Sequence, residues 1–342
     1  MMRKICVRYA KSRLPSIGEY AFCLCGQLKN ISIPDSVASI GSHAFYSSGA
    51  IQTERGVSYV DTWVIDCDTS ATSVTIKEGI RAIGNAAFAG CNSLSTLVLP
   101  DSLTLICSGG YSGVFDGCNS LIYNEHENGK YLGNTNNPYM CLVDVIDSSV
   151  TAFTIPATTK FIGDEAFSGC TSLESLTIPD GMLSIGNSAF RSCSSLRNIT
   201  IPDSVTSIGH SAFAWCGGLW TVTLPSGLTS ISTNMFNHCW ALGEITIPAG
   251  VTGIGVGAFE YCENLKSVVL PDSVTSIGNR VFSDCDELES LYIPASVTQM
   301  GEYQFVNCMK LTIYAEATEE PAGWDANWNH LDRPVEWGYT KE

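Results

Sequence analysis

The chain has 342 residues, 45% of them hydrophobic and 15% charged, and 18 Lys and Arg against 34 Asp and Glu give a formal net charge of −16. That balance repels phosphate backbones and anionic bilayers, so nucleic acid and anionic membrane are not expected as partners. No run approaches the about 18 apolar residues a spanning helix needs, and MMRKICVRYAKSRLPSIGEY at the start is basic but has no apolar segment of a secretory leader.

The N-terminal stretch Ile5–Ala10 lacks a proper strand, whereas Leu14–Phe22 fits the second half of a repeat. The chain therefore begins inside a pattern, as a degenerate cap or a fragment of a longer protein would. LPSIG at Leu14–Gly18 and LPSGL at Leu224–Leu228 look faintly like sortase signals. Both are in register with the repeat and neither precedes an apolar tail, so that reading is rejected.

The repeat is plainest in the second half. Phe167, Phe190, Phe213, Phe236, Phe259, Phe282 and Phe305 are each 23 residues apart, and a Cys follows each Phe by three. Pro156, Pro179, Pro202, Pro225, Pro248, Pro271 and Pro294 share the period. With Phe22, Phe45, Phe88 and Phe115 the anchors number eleven. Fixed periodicity of this length is the signature of stacked units.

Each unit reads as I-x-I-P-D-S-V-T-S-I-G-x-x-A-F-x-x-C. Leu176 and Ile178 alternate with Thr177, the period of a half-buried strand. Pro179 ends that strand, because it has no N–H to offer a ladder, and Pro-Asp opens a tight turn. VTSI predicts a second short strand, and the glycine after it a sharp bend. Ala212, Phe213 and Cys216 have the spacing of one helical turn. One unit cannot bury its own core; stacked units can.

Two inserts interrupt the period, at about residues 46–73 and 116–150. GVSYVDTWVIDCD (Gly56–Asp68) and GKYLGNTNNPYMCLVDVID (Gly129–Asp147) each hold two alternating apolar stretches. Each predicts a β-hairpin leaning off the stack, the second turning at Asn134–Pro138. The Gly-rich Cys107–Phe115 lacks the Lys-Ser/Thr of a phosphate loop. The solenoid is expected over 1–313 and an aromatic capping segment over 314–342, with Trp324, Trp328 and Trp337 over the open end.

The motif IPDSVTSIGxxAFxxC resembles the BspA-like class of bacterial leucine-rich repeats, over nearly the whole chain. The resemblance implies a right-handed β-rich solenoid with parallel strands and short helical turns, here about eleven repeats. It also implies a cell-surface or secreted protein that binds other macromolecules, and similar inserts and tails occur in the family.

Candidate chemistry is sparse. Ten of the 15 cysteines occupy one repeat position. Stacked Cys would hold their Cβ vectors parallel, which suits neither disulfides nor zinc, and Cys23-Leu24-Cys25 is too tight a pair. They read as buried packing groups. His43, His126, His210, His238 and His330 form no column and no triad order; His210 is expected in solvent. No catalytic residue, metal site or cofactor is expected. The partial Asp column (Asp35, Asp101, Asp180, Asp203, Asp272) is read as turn chemistry, since calcium needs several ligands per ion. The Thr column reflects β propensity.

One cluster stands out. The position two after Phe is small or polar in most units, such as Gly90, Gly117, Gly169 and Ser192, but it is Trp215, His238 and Tyr261 in three successive ones. Trp220 and Trp240 lie close in the repeat frame. Exposed aromatics of this kind are enriched in binding hot spots. The five residues are the candidate binding strip, for a protein or glycan ligand. The expected function is a non-catalytic surface or secreted adhesin-type module. The alternatives are a structural or intracellular interaction scaffold, or a fragment of a larger surface protein.

Overall fold

The computed structural model describes residues 16–41, 43–107 and 113–340. Ile5–Ala10, Leu14-Pro15 and most of the Gly-rich stretch after Cys107 lie outside them. Among the described residues the chain forms about 14 β-solenoid turns with parallel strands. It divides into two compact units, Met1–Val143 and Asp144–Glu342. The number of turns exceeds the expected eleven because some coils carry no Phe anchor, notably those built from insert strands and from the C-terminal segment.

Each coil of the second unit carries two short strands. The I-x-I segments pair in parallel one period apart, as in Asn198–Thr200 with Thr221–Thr223. The SI segments form a second ladder, as in Ser184–Ile185 with Ser207–Ile208. The alternation fixes the faces: Ile199 is buried while Asn198 and Thr200 are exposed. Identical residues therefore stack in columns. The phenylalanines from Phe167 to Phe305 lie with ring centroids 5.0 to 6.3 Å apart and planes within 13° of parallel. Burying such a ring stabilises by roughly 2 to 3 kcal/mol.

The expected helical turn at A-F-x-x-C is not a helix, and no helix occurs among the described residues. The reason is in the backbone. Two positions per coil adopt left-handed φ, as at Ser188 (51°) and Ser192 (62°) on either side of Ala189-Phe190. A left-handed residue breaks the i to i−4 ladder. The amides are satisfied otherwise. Ser188, Phe190 and Ser192 donate to His210, Ala212 and Ala214 of the next coil, while Arg191 and Cys193 close tight turns onto Ser188 and Phe190. The segment is a third inter-coil ladder.

The cysteine column has a defined task. The Cys216 thiol donates to the Phe190 carbonyl at 3.0 Å, and Cys193, Cys239, Cys262, Cys285 and Cys308 repeat the contact one coil along. Cys170, Cys193, Cys216, Cys239, Cys262, Cys285 and Cys308 are free thiols. The Asp and Asn turn positions staple coils together. Asp203 Oδ1 accepts the Ser226 amide at 2.7 Å, and Asn187 Oδ1 accepts the His210 amide at 2.8 Å. His210 itself is exposed.

In the first unit the inserts are woven into the stack instead of leaning off it. Gln52–Glu54, Val57–Val60 and Trp63–Cys67 form an antiparallel meander, and the last strand then pairs in parallel with Ala82–Ile83. The hairpin ends as a rung, with Trp63 fully buried. The second insert opens the same way, with Asn124–His126 and Gly129–Leu132 as an antiparallel pair and Cys141–Val145 beside them. Its first turn is at Glu127, with φ of 51°. The Asn134–Pro138 turn is the second one. It is tied to the preceding coil, since Asn134 Nδ2 donates to Leu99 O at 2.9 Å and Asp101 Oδ1 at 2.7 Å.

The C-terminal segment follows the path of a further coil. Trp324 bridges Met300 in parallel, and Val335–Trp337 pairs with Thr312–Ala315. Trp328 stands 23 residues after Phe305 and packs edge-on against it, with centroids 6.0 Å apart. Trp324 and Trp328 are buried, and Trp324 Nε1 donates to Val297 O at 3.0 Å.

Candidate binding site

The position two after Phe is one of the two left-handed positions in every described coil. Gly90, Gly117, Gly169, Ser47, Ser192, Asp284 and Asn307 hold it with φ between 53° and 77°. Glycine accepts this conformation freely, and small polar residues accept it at modest cost. Trp215 (64°), His238 (60°) and Tyr261 (61°) hold the same conformation with bulky rings. For such residues it costs about 1 to 2 kcal/mol each. Strain of this kind concentrates at functional positions.

Stacking offsets part of the cost. The Trp215 and His238 rings lie 3.8 Å apart at 11°, and His238 and Tyr261 lie 4.2 Å apart at 27°. Trp240 stands across them, 6.0 Å from Trp215 at 89° and 6.2 Å from His238 at 78°. Its ring occupies the space beside Gly217, its counterpart one coil earlier. Such offset and edge-to-face pairs add about 0.5 to 1.5 kcal/mol each.

Trp215, His238, Trp240 and Tyr261 are thus brought together as one cluster. Trp220 is not part of it. It is 66% exposed at the start of Thr221–Thr223 and contacts no other ring among the described residues.

A hydrogen-bonded chain orders the imidazole. His238 Nδ1 lies 2.5 Å from Asn237 Oδ1, to which it donates. Asn237 Nδ2 donates to Glu260 Oε2 at 3.1 Å, and Arg280 lies 3.9 Å from Glu260 Oε1. Burial lowers the His238 pKa below its usual 6.5, against a weaker raising field from Asp284. Burial also raises the Glu260 carboxyl, partly countered by Arg280. The Tyr261 phenol is raised, chiefly by Asp284.

The columns continue beyond the rings into acid. Tyr261 is followed by Asp284 and then Asn307; Trp240 is followed by Glu263 and Asp286. Tyr261, Glu263, Asp284, Asp286, Glu287 and Lys310 border one shallow open depression. Sequence reasoning missed these acids, although extending the column from Tyr261 by one period finds Asp284. Among the described residues no group of three or more His, Cys, Asp or Glu is placed to hold a metal ion, and no helix is long and apolar enough to cross a membrane.

Comparison with known proteins agrees with this architecture. A leucine-rich repeat protein from Eubacterium ventriosum is similar in structure, with 24% identity, a TM-score of 0.50 and coverage of 90% of this chain and 82% of that one. A leucine-rich repeat protein from Bacteroides ovatus is 25% identical over 77% of this chain and 68% of that one, with a TM-score of 0.40. A leucine rich cell surface protein from Faecalibacterium prausnitzii is 24% identical over 96% and 87%, with a TM-score of 0.35. Among curated proteins none matches the chain. The family model for the BspA type leucine rich repeat region matches in six copies over residues 9–122, 146–263 and 184–312, and the chain belongs to that family.

Proposed function

We propose that the chain is a non-catalytic binding module of a surface or secreted protein, and that it holds a macromolecular ligand through Trp215, His238, Trp240 and Tyr261. One observation carries the reading: three successive coils place a bulky ring in a left-handed position that the other described coils, apart from Leu24, fill with small, polar or acidic residues. A fold needing only a solenoid would keep glycine or serine there. Exposed Trp and Tyr supply large contact area at low entropic cost, which suits recognition. Trp220 adds an exposed ring elsewhere on the same coil and is the outlying member of the proposal.

The test replaces Trp215, Trp240 and Tyr261 by Ala together and compares binding to peptide and glycan arrays. Loss of binding by a folded variant is the expected result. Unchanged binding would remove the ring cluster from the site.

A further inference from the structure

Resting on that reading, we infer that the ligand is a basic peptide segment, with an apolar side chain against Trp215 and Trp240 and Lys or Arg side chains over Tyr261, Glu263, Asp284 and Asp286.

Ring geometry comes first. Both faces of His238 are covered, by Trp215 on one side and Tyr261 on the other. The ladder therefore offers edges along most of its length, not the open platform on which a sugar chain stacks. The face of Trp215 turned away from His238 looks toward the coil that carries small Ser192 at this position. Trp240 keeps 38% of its surface exposed.

Charge decides the class of partner. Four carboxylates and one ammonium border the depression next to Tyr261. Lys310 is bound to Glu287, at 2.6 Å to both carboxylate oxygens. Glu263, Asp284 and Asp286 have no ion pair among the described residues. A neutral glycan can donate hydroxyl hydrogen bonds to such carboxylates but leaves their charge uncompensated, and an anionic one is repelled. A guanidinium or ammonium meets both features at once, because it is attracted to a Tyr or Trp face and pairs with carboxylate. The partner surface is thus apolar at one end and cationic at the other.

The experiment selects a displayed random peptide library on the immobilised full chain in moderate salt. Enriched sequences are then titrated against variants by tryptophan fluorescence. Enrichment in Lys and Arg, combined with an aromatic or large aliphatic residue, is expected. Binding should weaken about tenfold in Glu263→Gln/Asp286→Asn and in Trp215→Ala/Trp240→Ala. Glu319→Gln/Glu320→Gln removes the same charge from two exposed residues elsewhere and should leave binding unchanged. Peptides no more basic than the starting library, or equal weakening in the two charge variants, would overturn the assignment. Neutral oligosaccharides bound through Trp215 and Trp240, with no enrichment of basic peptides, would keep the binding site and discard the peptide. No binding of either class that depends on the rings would discard both.

Discussion

The Trp240 indole fills the space that a Cβ on Gly217 would need, its Cε3 and Cζ3 being the nearest atoms. Gly217 does not have a positive φ, so alanine suits its backbone and the collision is with the ring alone. Gly217→Ala should swing Trp240 off its seat. Stability should change by less than about 1 kcal/mol, since the entropic gain of alanine offsets part of the clash. Trp emission should shift and ligand affinity should fall. An unaltered emission spectrum would show that Gly217 does not position the ring.

Trp215→Gly separates binding from folding. Glycine relieves a left-handed strain of about 1 to 2 kcal/mol and forfeits a ring contact of similar size. Denaturation midpoints should therefore stay within about 1 kcal/mol of the parent while binding is lost. Phe213→Ala, in the buried stack, should cost about 3 to 5 kcal/mol. A Trp215→Gly loss as large as that of Phe213→Ala would make the indole a structural group.

The period, the strands and the stacking of like residues were legible because each depends on local pattern. Leu176, Thr177 and Ile178 set a strand whatever their neighbours do. The helical turn was misjudged for a physical reason. Ala212, Phe213 and Cys216 have helical spacing, but Ser211 (55°) and Trp215 (64°) are left-handed, and single-residue propensity does not reveal φ. The clue was the abundance of Gly and Ser at the position of Trp215. The inserts were readable as alternating strands, yet the pairing of Trp63–Cys67 with Ala82–Ile83 depends on a non-local contact. The ring cluster was legible from its column because bulky rings there break the small-residue rule. Glu263, Asp284 and Asp286 were not, because carboxylates at exposed or half-buried surface positions look like any solvated surface until Tyr261 is placed beside them.

The cysteine column should be chemically silent in the folded chain. Burial pushes the Cys170 and Cys308 thiols up to about 12 and raises Cys239 as well. The thiolate is the reactive form. At about pH 8 these positions should resist a disulfide reagent until denaturant is added. Cys239→Ala should cost about 1 to 2 kcal/mol, through the lost bond to Phe213 O and a small cavity. Rapid labelling of Cys239 in the native state, followed by mass spectrometry, would contradict this packing.

His238 gives stability a pH dependence of known sign. Its folded pKa lies below the usual 6.5, so the unfolded chain takes up the proton first. Stability is then full above about 6.5 and falls as the pH drops through that value toward the folded pKa. His238→Asn keeps a residue tolerant of left-handed φ and removes the titration. The parent should lose more stability than this variant between about pH 7 and pH 5. Denaturation curves at both values read the difference, and parallel losses would exclude His238 as the source.

Trp328 tests whether the C-terminal coil closes the stack. It sits 23 residues after Phe305, in the place a next Phe would take. It covers Phe305 edge-on and is only 4% exposed. Its carbonyl accepts the Gln304 amide at 3.1 Å, so ring and backbone both continue the ladder. Trp328→Ala should cost about 3 to 5 kcal/mol. It should also leave the last rungs open to a second chain, because an uncovered solenoid end offers unpaired strand edges. Trp328→Phe restores the column residue and should recover most of the loss. Thermal melts and sedimentation read the two effects separately. A Trp328→Ala chain that melts like the parent and stays at its sedimentation coefficient would show that the coil ending at Phe305 needs no cover.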